Sequence, residues 1–139
     1  MNYKIVAKYI KNIEFLIPNP KVFFLLAENI SNYKINIDIK SNQVKENIII
    51  IEISLSLKPT KDDFEKIDSK IIYAVLIEVD SKKINGEELE KIILIDVPSE
   101  VYSEIRESFV FLFEKSGFKK IKIEQKVDFK KLYIQRKSQ

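Results

Sequence analysis

The chain has no cysteine and no histidine among its 139 residues. Without cysteine it can form no disulfide, no thiolate nucleophile and no cysteine-ligated metal site. Without histidine, serine–histidine hydrolysis, imidazole acid–base catalysis and most zinc sites are excluded. The sequence also has no P-loop, and its tight carboxylate pairs, Asp62-Asp63 and Glu87-Glu88, fall in charged connectors. We therefore expect a protein that is not an enzyme and that uses no cofactor or metal.

Glycine and proline are scarce, with 2 and 4 residues respectively, which excludes collagen-like and low-complexity linker sequences. Hydrophobic residues make up 45% of the chain and charged residues 32%, a composition typical of globular proteins. A chain of this length predicts one domain. We expect that domain to span residues 1–139, with order over about 3–133 and a tail at 134–139.

Long apolar runs are also missing. No stretch of 18 apolar residues occurs, so we expect no transmembrane helix and no integral membrane contact. Residues 1–10 alternate between polar and apolar side chains, which is unlike a signal peptide. Since the absence of cysteine gives no reason to place the chain in an oxidising compartment, the expected location is the cytoplasm.

Positive charge is concentrated at the C-terminal end, although the net charge of the chain is only +3. Residues 119–139 contain eight basic side chains against Glu124 and Asp128. Such a segment could bind nucleic acid or another anionic surface, or it could be a solvated, lysine-biased terminus. Because no RNA- or DNA-binding motif accompanies it, we favour the second interpretation and expect no nucleic-acid partner. The basic residues are Lys119, Lys120, Lys122, Lys126, Lys130, Lys131, Arg136 and Lys137.

Four segments alternate polar and apolar residues with the two-residue period of a half-buried strand. They are residues 3–17, 33–40, 48–57 and 71–80. The alternation of the first segment fails near Lys11, which predicts a β-bulge there. Between the first two segments, an apolar cluster at residues 22–26 follows the breaker Pro18-Asn19-Pro20, and it fits either a short helix or an apolar crossover loop.

After Asn85-Gly86 the period becomes helical. A short helix is predicted over residues 87–95, and a second helix from Pro98 or Ser99 to about Ser116. Ser99 is a candidate N-cap, and Gly117 stands where a C-cap glycine is expected. Strands followed by helices favour an α+β fold with a four-stranded antiparallel sheet and two C-terminal helices packed on one face.

The second predicted helix has large apolar side chains on opposite sides. Tyr102, Ile105, Phe109, Leu112 and Phe113 form one stripe, while Val110 and Phe111 point elsewhere. A helix of this kind packs on the sheet with one face and on another element with the other, and in a short chain that element is most simply a second subunit. The oligomer interface predicted on this helix comprises Tyr102, Phe109, Val110, Phe111 and Phe113, with the protein core as the competing assignment for the stripe.

Several segments, taken in order, resemble the SecB family of export chaperones. The resemblance rests on residues 9–20 (YIKNIEFLIPNP), 77–79 (IEV), the stretch from Val97-Pro98 to Gly117-Phe118, and 127–133 (VDFKKLY). It implies a four-stranded antiparallel sheet with two helices and a homotetramer arranged as a dimer of dimers. It also implies ATP-independent holding of unfolded or precursor polypeptides in apolar grooves, and delivery of them to the translocation ATPase SecA.

The resemblance suggests site residues as well. The client-binding groove is predicted at Phe23, Phe24, Leu26, Tyr33 and Val97, although Phe23 and Phe24 could equally be ordinary core. Two candidates for SecA docking, Leu76 and Glu78, fit the family pattern.

Other positions depart from the family. Asn12 and Leu16 are uncharged where the SecA-docking surface of the family carries acidic residues, and the long acidic tail is missing. Some SecB-like proteins instead protect the antitoxin of a toxin–antitoxin pair, a role that tolerates loss of the SecA surface. A third possibility is an assembly adaptor that binds one folded partner.

Overall fold

The computed structural model describes residues 2–60, 67–118, 121 and 123–137. In these residues no helix is both long enough and apolar enough to cross a membrane. The strands are β1 (Tyr3–Leu16), β2 (Tyr33–Lys45), β3 (Ile48–Pro59) and β4 (Asp68–Val79). The helices are α1 (Pro20–Asn29), α2 (Gly86–Lys91), α3 (Val97–Lys115) and α4 (Phe129–Lys137), with a 3-10 turn at Ile30–Asn32 and a π-helical turn at Ile92–Asp96.

The four strands form one antiparallel sheet in the order β1-β4-β3-β2, so that β1 and β2 are its edges. The predicted antiparallel sheet is therefore confirmed. The register of β1 against β4 shifts between Ile10 and Asn12, which places a bulge at Lys11 as predicted. A second register shift lies between Ile5 and Ala7 and was not predicted. The apolar residues at Tyr3, Ile5, Ala7 and Tyr9 keep their two-residue period on either side of Val6, so the sequence gives no sign of a bulge there.

The β2–β3 connection is tighter than the sequence indicated. The strands predicted at residues 33–40 and 48–57 leave residues 41–47 between them, yet β2 continues to Lys45 and only Glu46 and Asn47 remain in the turn. Asn47 has a φ of 65°, a left-handed conformation that asparagine tolerates better than most residues. Its Oδ1 accepts hydrogen bonds from the backbone N–H of Ser81 (3.1 Å) and from the Ser81 hydroxyl (2.9 Å).

The two predicted C-terminal helices are joined in the structure. Helical backbone runs from Gly86 to Lys115 without a break, so the predicted restart of the chain at Pro98-Ser99 is wrong. Pro98 has no N–H to donate to the carbonyl four residues earlier. The π-helical turn just before it accommodates that loss, since the N–H of Val97 donates to the carbonyl of Ile92, five residues back.

Gly117 ends α3 as predicted. It has a φ of 99°, and its N–H donates to the carbonyl of Glu114 at 3.1 Å. The N–H of Phe118 donates to the carbonyl of Phe113 at 3.0 Å, and the two rings lie 5.9 Å apart. These are the paired hydrogen bonds and the apolar contact of a Schellman motif, which requires the left-handed residue that glycine supplies most easily.

One hydrophobic core joins the sheet to the helices. Alternate residues of β3 are buried, as the two-residue period predicts, and they share a core with every fourth residue of α3. The β3 residues are Ile49, Ile51, Ile53, Leu55 and Leu57, and the α3 residues are Val97, Val101, Ile105, Phe109 and Phe113.

Candidate functional site

An aromatic patch lies where α1 meets the C-terminal end of α3. We define it as Phe15, Phe23, Phe24, Phe113 and Phe118. The ring of Phe23 lies 4.8 Å from that of Phe118 and 5.6 Å from that of Phe24, and the ring of Phe15 lies 4.9 Å from that of Phe113. Phe24 is 62% exposed, which leaves a large apolar ring in water at the edge of the patch. Exposed aromatic surface of this kind is typical of a binding site.

The sequence positions α1 by its first two residues. The Oδ1 of Asn19 accepts a hydrogen bond from the N–H of Val22 at 2.9 Å, and Pro20 occupies the first helical position. Of the two structures that the sequence left open at residues 22–26, the helix is therefore the one that forms. It sends Val22, Phe23 and Leu26 inward and leaves Phe24 and Leu25 outside.

The structure separates the five predicted groove residues. Phe23 and Phe24 lie together in the aromatic patch, and Tyr33 is partly buried at the start of β2. Leu26 is 1% exposed and Val97 is 0% exposed, so both belong to the core and cannot line an accessible groove of this protomer. The reason is helical geometry, since Leu26 shares the inward face of α1 and Val97 shares that of α3 with Val101 and Ile105.

A second apolar cavity, the β2–α4 groove, lies between edge strand β2 and the helices. Its volume is about 520 Å³. Apolar side chains that line it include Ile39, Leu89, Ile93, Leu94 and Tyr133, and its polar lining includes Glu90, Arg136 and Lys137. None of these residues was predicted for a site. A cavity of this size and character is suited to a few apolar side chains of a bound segment.

Helix α4, which forms one side of that groove, was predicted as a terminal segment and tail. In the structure α4 includes residues 134–137. Asp128 caps it, since its Oδ1 accepts a hydrogen bond from the N–H of Lys131 at 3.0 Å. The signal was present in the sequence, because Phe129, Leu132 and Tyr133 follow the capping residue at helical spacing. Phe129 and Tyr133 are buried.

The segment that leads to α4 is attached to α3 by two side chains. The Tyr102 hydroxyl donates to the carbonyl of Glu124 at 2.7 Å, and Nε of Arg106 donates to the carbonyl of Ile123 at 3.0 Å. Burial of its ring raises the pKa of Tyr102. Tyr102 was predicted at an oligomer interface, and this contact within the protomer accounts for it instead.

Polar side chains join α3 to β1 and β4. Glu104 accepts hydrogen bonds from Nζ of Lys8 (2.7 Å) and from the hydroxyl of Tyr73 (2.8 Å), and Glu100 accepts one from Tyr3 (3.2 Å). These hydrogen bonds hold the pKa of Glu104 below its usual range, and the bond from Lys8 has the larger effect. Burial, reinforced by the adjacent carboxylates, raises the pKa of Tyr3 and of Tyr73 to about 12.

The four positions considered for SecA docking share the sheet face that carries the even-numbered residues of β4. Asn12 pairs with Ile72 and Leu16 with Asp68, while Leu76 and Glu78 lie further along β4. At about 3.3 Å per residue, Leu16 is roughly 26 Å from Leu76. The residues therefore belong to one face but not to one compact site. Lys11 forms an ion pair with Glu52 across this face, and the interaction raises the pKa of Lys11.

The predicted oligomer interface on α3 divides into buried and exposed residues. Tyr102, Phe109 and Phe113 lie in the core of their own protomer, so they are not available to a second subunit. Val110 is partly buried and Phe111 is 55% exposed. Sequence reasoning missed a second apolar surface, the β1 edge surface, on which Val6, Tyr9, Ile10, Ile13 and Leu16 are 44% to 54% exposed.

The two carboxylates of Glu87-Glu88 have ordinary partners. Glu87 pairs with Lys91 at 3.6 Å, and the N–H of Glu88 donates to the capping residue Asn85. The described ranges contain no group of three or more acidic side chains placed to hold a metal ion. Asp62-Asp63 lies outside the described residues, as do three residues of the basic segment, Lys119, Lys120 and Lys122.

Comparison with known families adds to this geometry. The sequence model of the family described as preprotein translocase subunit SecB matches residues 1–139. The chain belongs to the SecB family. A relative from Pelagibacter ubique (strain HTCC1062), provisionally named a protein-export protein SecB, is 38% identical over 135 residues, which cover 97% of this chain and 96% of the relative.

Among solved structures, the fold is similar to a SecB-like chaperone of Mycobacterium tuberculosis, in complex with a ChAD peptide from the HigA1 antitoxin. The TM-score is 0.55, and the match covers 91% of this chain and 88% of the other. The sequences are 13% identical, so this likeness supports the SecB fold. The SecB resemblance drawn from the sequence segments is confirmed by the family match.

Proposed function

We propose that the protein is an ATP-independent chaperone that holds unfolded or precursor polypeptides in the cytoplasm for export. The observation that carries the proposal is the aromatic patch of a SecB-family chain, in which Phe24 projects 62% of its surface into water beside the partly buried Phe23. Aromatic rings provide large and rigid contact area for apolar segments of many sequences. Such a surface supports binding that depends on hydrophobicity rather than on one sequence.

Assembly as a dimer of dimers is part of this proposal. Each protomer exposes two separate apolar surfaces that a second copy could cover: the β1 edge surface, and Phe111 with Val110 on α3. An edge strand with apolar side chains on both faces favours pairing with another strand. Several clefts in one assembly would also let a single long polypeptide bind at more than one point, which raises its overall affinity.

Delivery of clients to SecA is supported by Leu76 and Glu78. Both residues lie on the sheet face that carries the even-numbered residues of β4, where Glu78 is exposed and Leu76 is half-buried. A second candidate role is protection of an antitoxin, favoured by the uncharged Asn12 and Leu16 on that face and by the antitoxin peptide bound to the SecB-like structural relative.

Light scattering after size-exclusion chromatography tests the holding function. We expect a tetramer that co-elutes with a permanently unfolded polypeptide and ignores the folded form of the same protein. Phe24→Ser should weaken this binding, whereas Val44→Ser, a matched change at an exposed residue of β2, should not. A protein that binds only one folded partner would contradict the proposal and support the adaptor alternative.

The two roles within the SecB family are separated by a further measurement. Purified SecA should bind the tetramer, and Glu78→Lys should weaken that binding while Glu46→Lys, at an exposed position in the β2–β3 turn, leaves it unchanged. Absence of SecA binding, together with tight binding of one antitoxin segment, would favour the antitoxin role.

A further inference from the structure

The β2–α4 groove carries an unbalanced positive charge. Arg136, Lys137 and Glu90 are its charged lining residues. Nζ of Lys137 lies 3.6 Å from Oε1 of Glu90, so the one carboxylate of the groove is already paired. The side chain of Arg136 is exposed and forms no ion pair or hydrogen bond with the described residues. Its guanidinium is therefore the free charge at the rim.

Among the described residues, those that line the adjacent cavity do not cancel this charge. The adjacent cavity, on the other side of Tyr133, is lined by the cations Lys91, Lys130 and Lys137 and by the carboxylates Glu87 and Asp96. Lys91 and Glu87 pair with each other at 3.6 Å. Lys137 is shared with the groove and is paired there with Glu90, which leaves Lys91 and Lys130 against Glu87 and Asp96. The adjacent cavity is therefore neutral overall, and a carboxylate brought to Arg136 would meet the one unbalanced positive charge of the groove.

The groove also offers an unpaired strand edge. Ile39 and Ser41 of β2 line it, and β2 is a sheet edge in this protomer. An extended peptide can add to such an edge through backbone hydrogen bonds, while alternate side chains enter the adjoining cavity. Since side chains two residues apart on a strand lie on the same side at roughly 7 Å, an apolar residue in the cavity can have a charged neighbour at its rim.

Building on the holding function proposed above, we infer that the β2–α4 groove selects apolar client segments that carry an acidic residue next to their apolar anchor. The anchor occupies the space between Ile39, Leu89 and Ile93, and the acidic side chain pairs with Arg136. A carboxylate can accept two parallel hydrogen bonds from a guanidinium, which fixes the register of the segment as well as adding affinity. A basic residue at the same place is repelled.

Fluorescence anisotropy with three labelled peptides tests this inference. The peptides share one apolar core and differ only in flanking residues, which are Glu, Gln or Lys. We expect the Glu peptide to bind about two- to fivefold more tightly than the Gln peptide at low salt, as an exposed ion pair allows. The Lys peptide should be the weakest. The differences should shrink between about 10 mM and 100 mM salt, as the Debye length falls from about 30 to about 10 Å.

Two variants of equal net charge test whether the preference for the Glu peptide arises in the groove. Arg136→Gln should remove most of the preference for the Glu peptide and leave binding of the Gln peptide unchanged. Lys21→Gln is the matched control, because Lys21 is exposed on α1, which meets the other end of α3. The preference should survive this change.

The outcomes separate this inference from the proposed function. If the wild-type protein binds the three peptides equally, charge selection is wrong while the holding function stands. If Arg136→Gln keeps the full preference, the assignment to the groove is wrong. If no peptide binds, including the neutral one, the holding function itself fails and the inference fails with it.

Discussion

Gly117 has a backbone conformation that other residues rarely adopt, and no free space for a side chain. Its φ is 99°, and a Cβ added there would lie 3.3 Å from both Cε2 and Cζ of Phe23. We expect Gly117→Ala to lower the free energy of unfolding by about 1–3 kcal/mol, because it strains the backbone and displaces the Phe23 ring. Urea denaturation followed by circular dichroism measures the change.

The control for that prediction is the other glycine. A Cβ at Gly86, the first residue of α2, would meet no atom within 4 Å. Gly86→Ala should therefore leave stability unchanged or raise it by up to about 1 kcal/mol. Equal losses in both variants would contradict the role assigned to the Gly117 conformation.

Glu104 is expected to make the stability of the folded protein depend on pH in the acidic range. Because Lys8 and Tyr73 lower the pKa of Glu104 in the folded state, the stabilisation is present above the unfolded pKa of about 4.3. It is lost as the pH falls through the folded pKa. Glu104→Gln should lower stability at pH 7 by no more than about 1 kcal/mol, the scale of an exposed pair, and the difference from wild type should vanish in acid.

Unfolding curves between neutral and acidic pH test this expectation. Glu107→Gln is the matched control on the same helix, since Glu107 is exposed and makes no hydrogen bond or ion pair within the described residues. If Glu104→Gln shows the same loss at every pH, the contact acts through packing and not through ionisation.

At the scale of elements, the features that could be predicted from the sequence are those that a local pattern determines. The four strands, the bulge at Lys11 and the helix end at Gly117 each follow from a period or from one residue with a special conformation. The continuous helix across Pro98 could not be predicted in this way. Proline normally begins or ends a helix, and here a π-helical turn, which has no sequence period of its own, allows the helix to continue through it.

The same limit applies to the candidate site. Exposure of Phe24 and burial of Leu26 depend on which side of α1 meets the core, and the cluster at residues 22–26 is apolar on both sides. The β2–α4 groove depends on tertiary packing that brings residues almost 100 positions apart, such as Ile39 and Tyr133, to the same cavity. No local sequence pattern predicts such packing.

Helix α4 is held mainly by its cap and by two buried rings, so we expect it to open without unfolding of the sheet. Asp128→Ala removes the cap and should cost the helix about 1 kcal/mol. In hydrogen exchange with mass spectrometry, the amides of Phe129–Lys137 should exchange faster while those of Ile48–Pro59 stay protected. Ser99→Ala, which changes the residue wrongly predicted as a cap, should alter neither. Faster exchange across the whole sheet would contradict independent opening of α4.

At the scale of the whole molecule, the described residues leave two apolar surfaces uncovered besides the aromatic patch, and a second copy of the chain could cover both. Strand β1 pairs on one side only, with β4, and its apolar side chains are exposed on both faces of the sheet. Phe111 stands apart from them on α3, where Nζ of Lys115 lies 5.6 Å from its ring centroid. Two distinct self-complementary surfaces are what a closed dimer of dimers requires, because each two-fold axis needs an interface of its own.

The oligomeric state of variants therefore tests whether each of the two surfaces forms an interface between subunits. Ile13→Lys places a charge on the β1 edge surface, where lysine discourages strand pairing. Phe111→Asp places a charge on the α3 surface. If the two surfaces form separate interfaces of a tetramer, each single variant should be a dimer and the double variant a monomer in light scattering at matched concentration. Val44→Lys, a change at an exposed apolar residue of β2 outside both surfaces, should remain a tetramer. A tetramer that persists in the double variant would show that neither surface holds the subunits together.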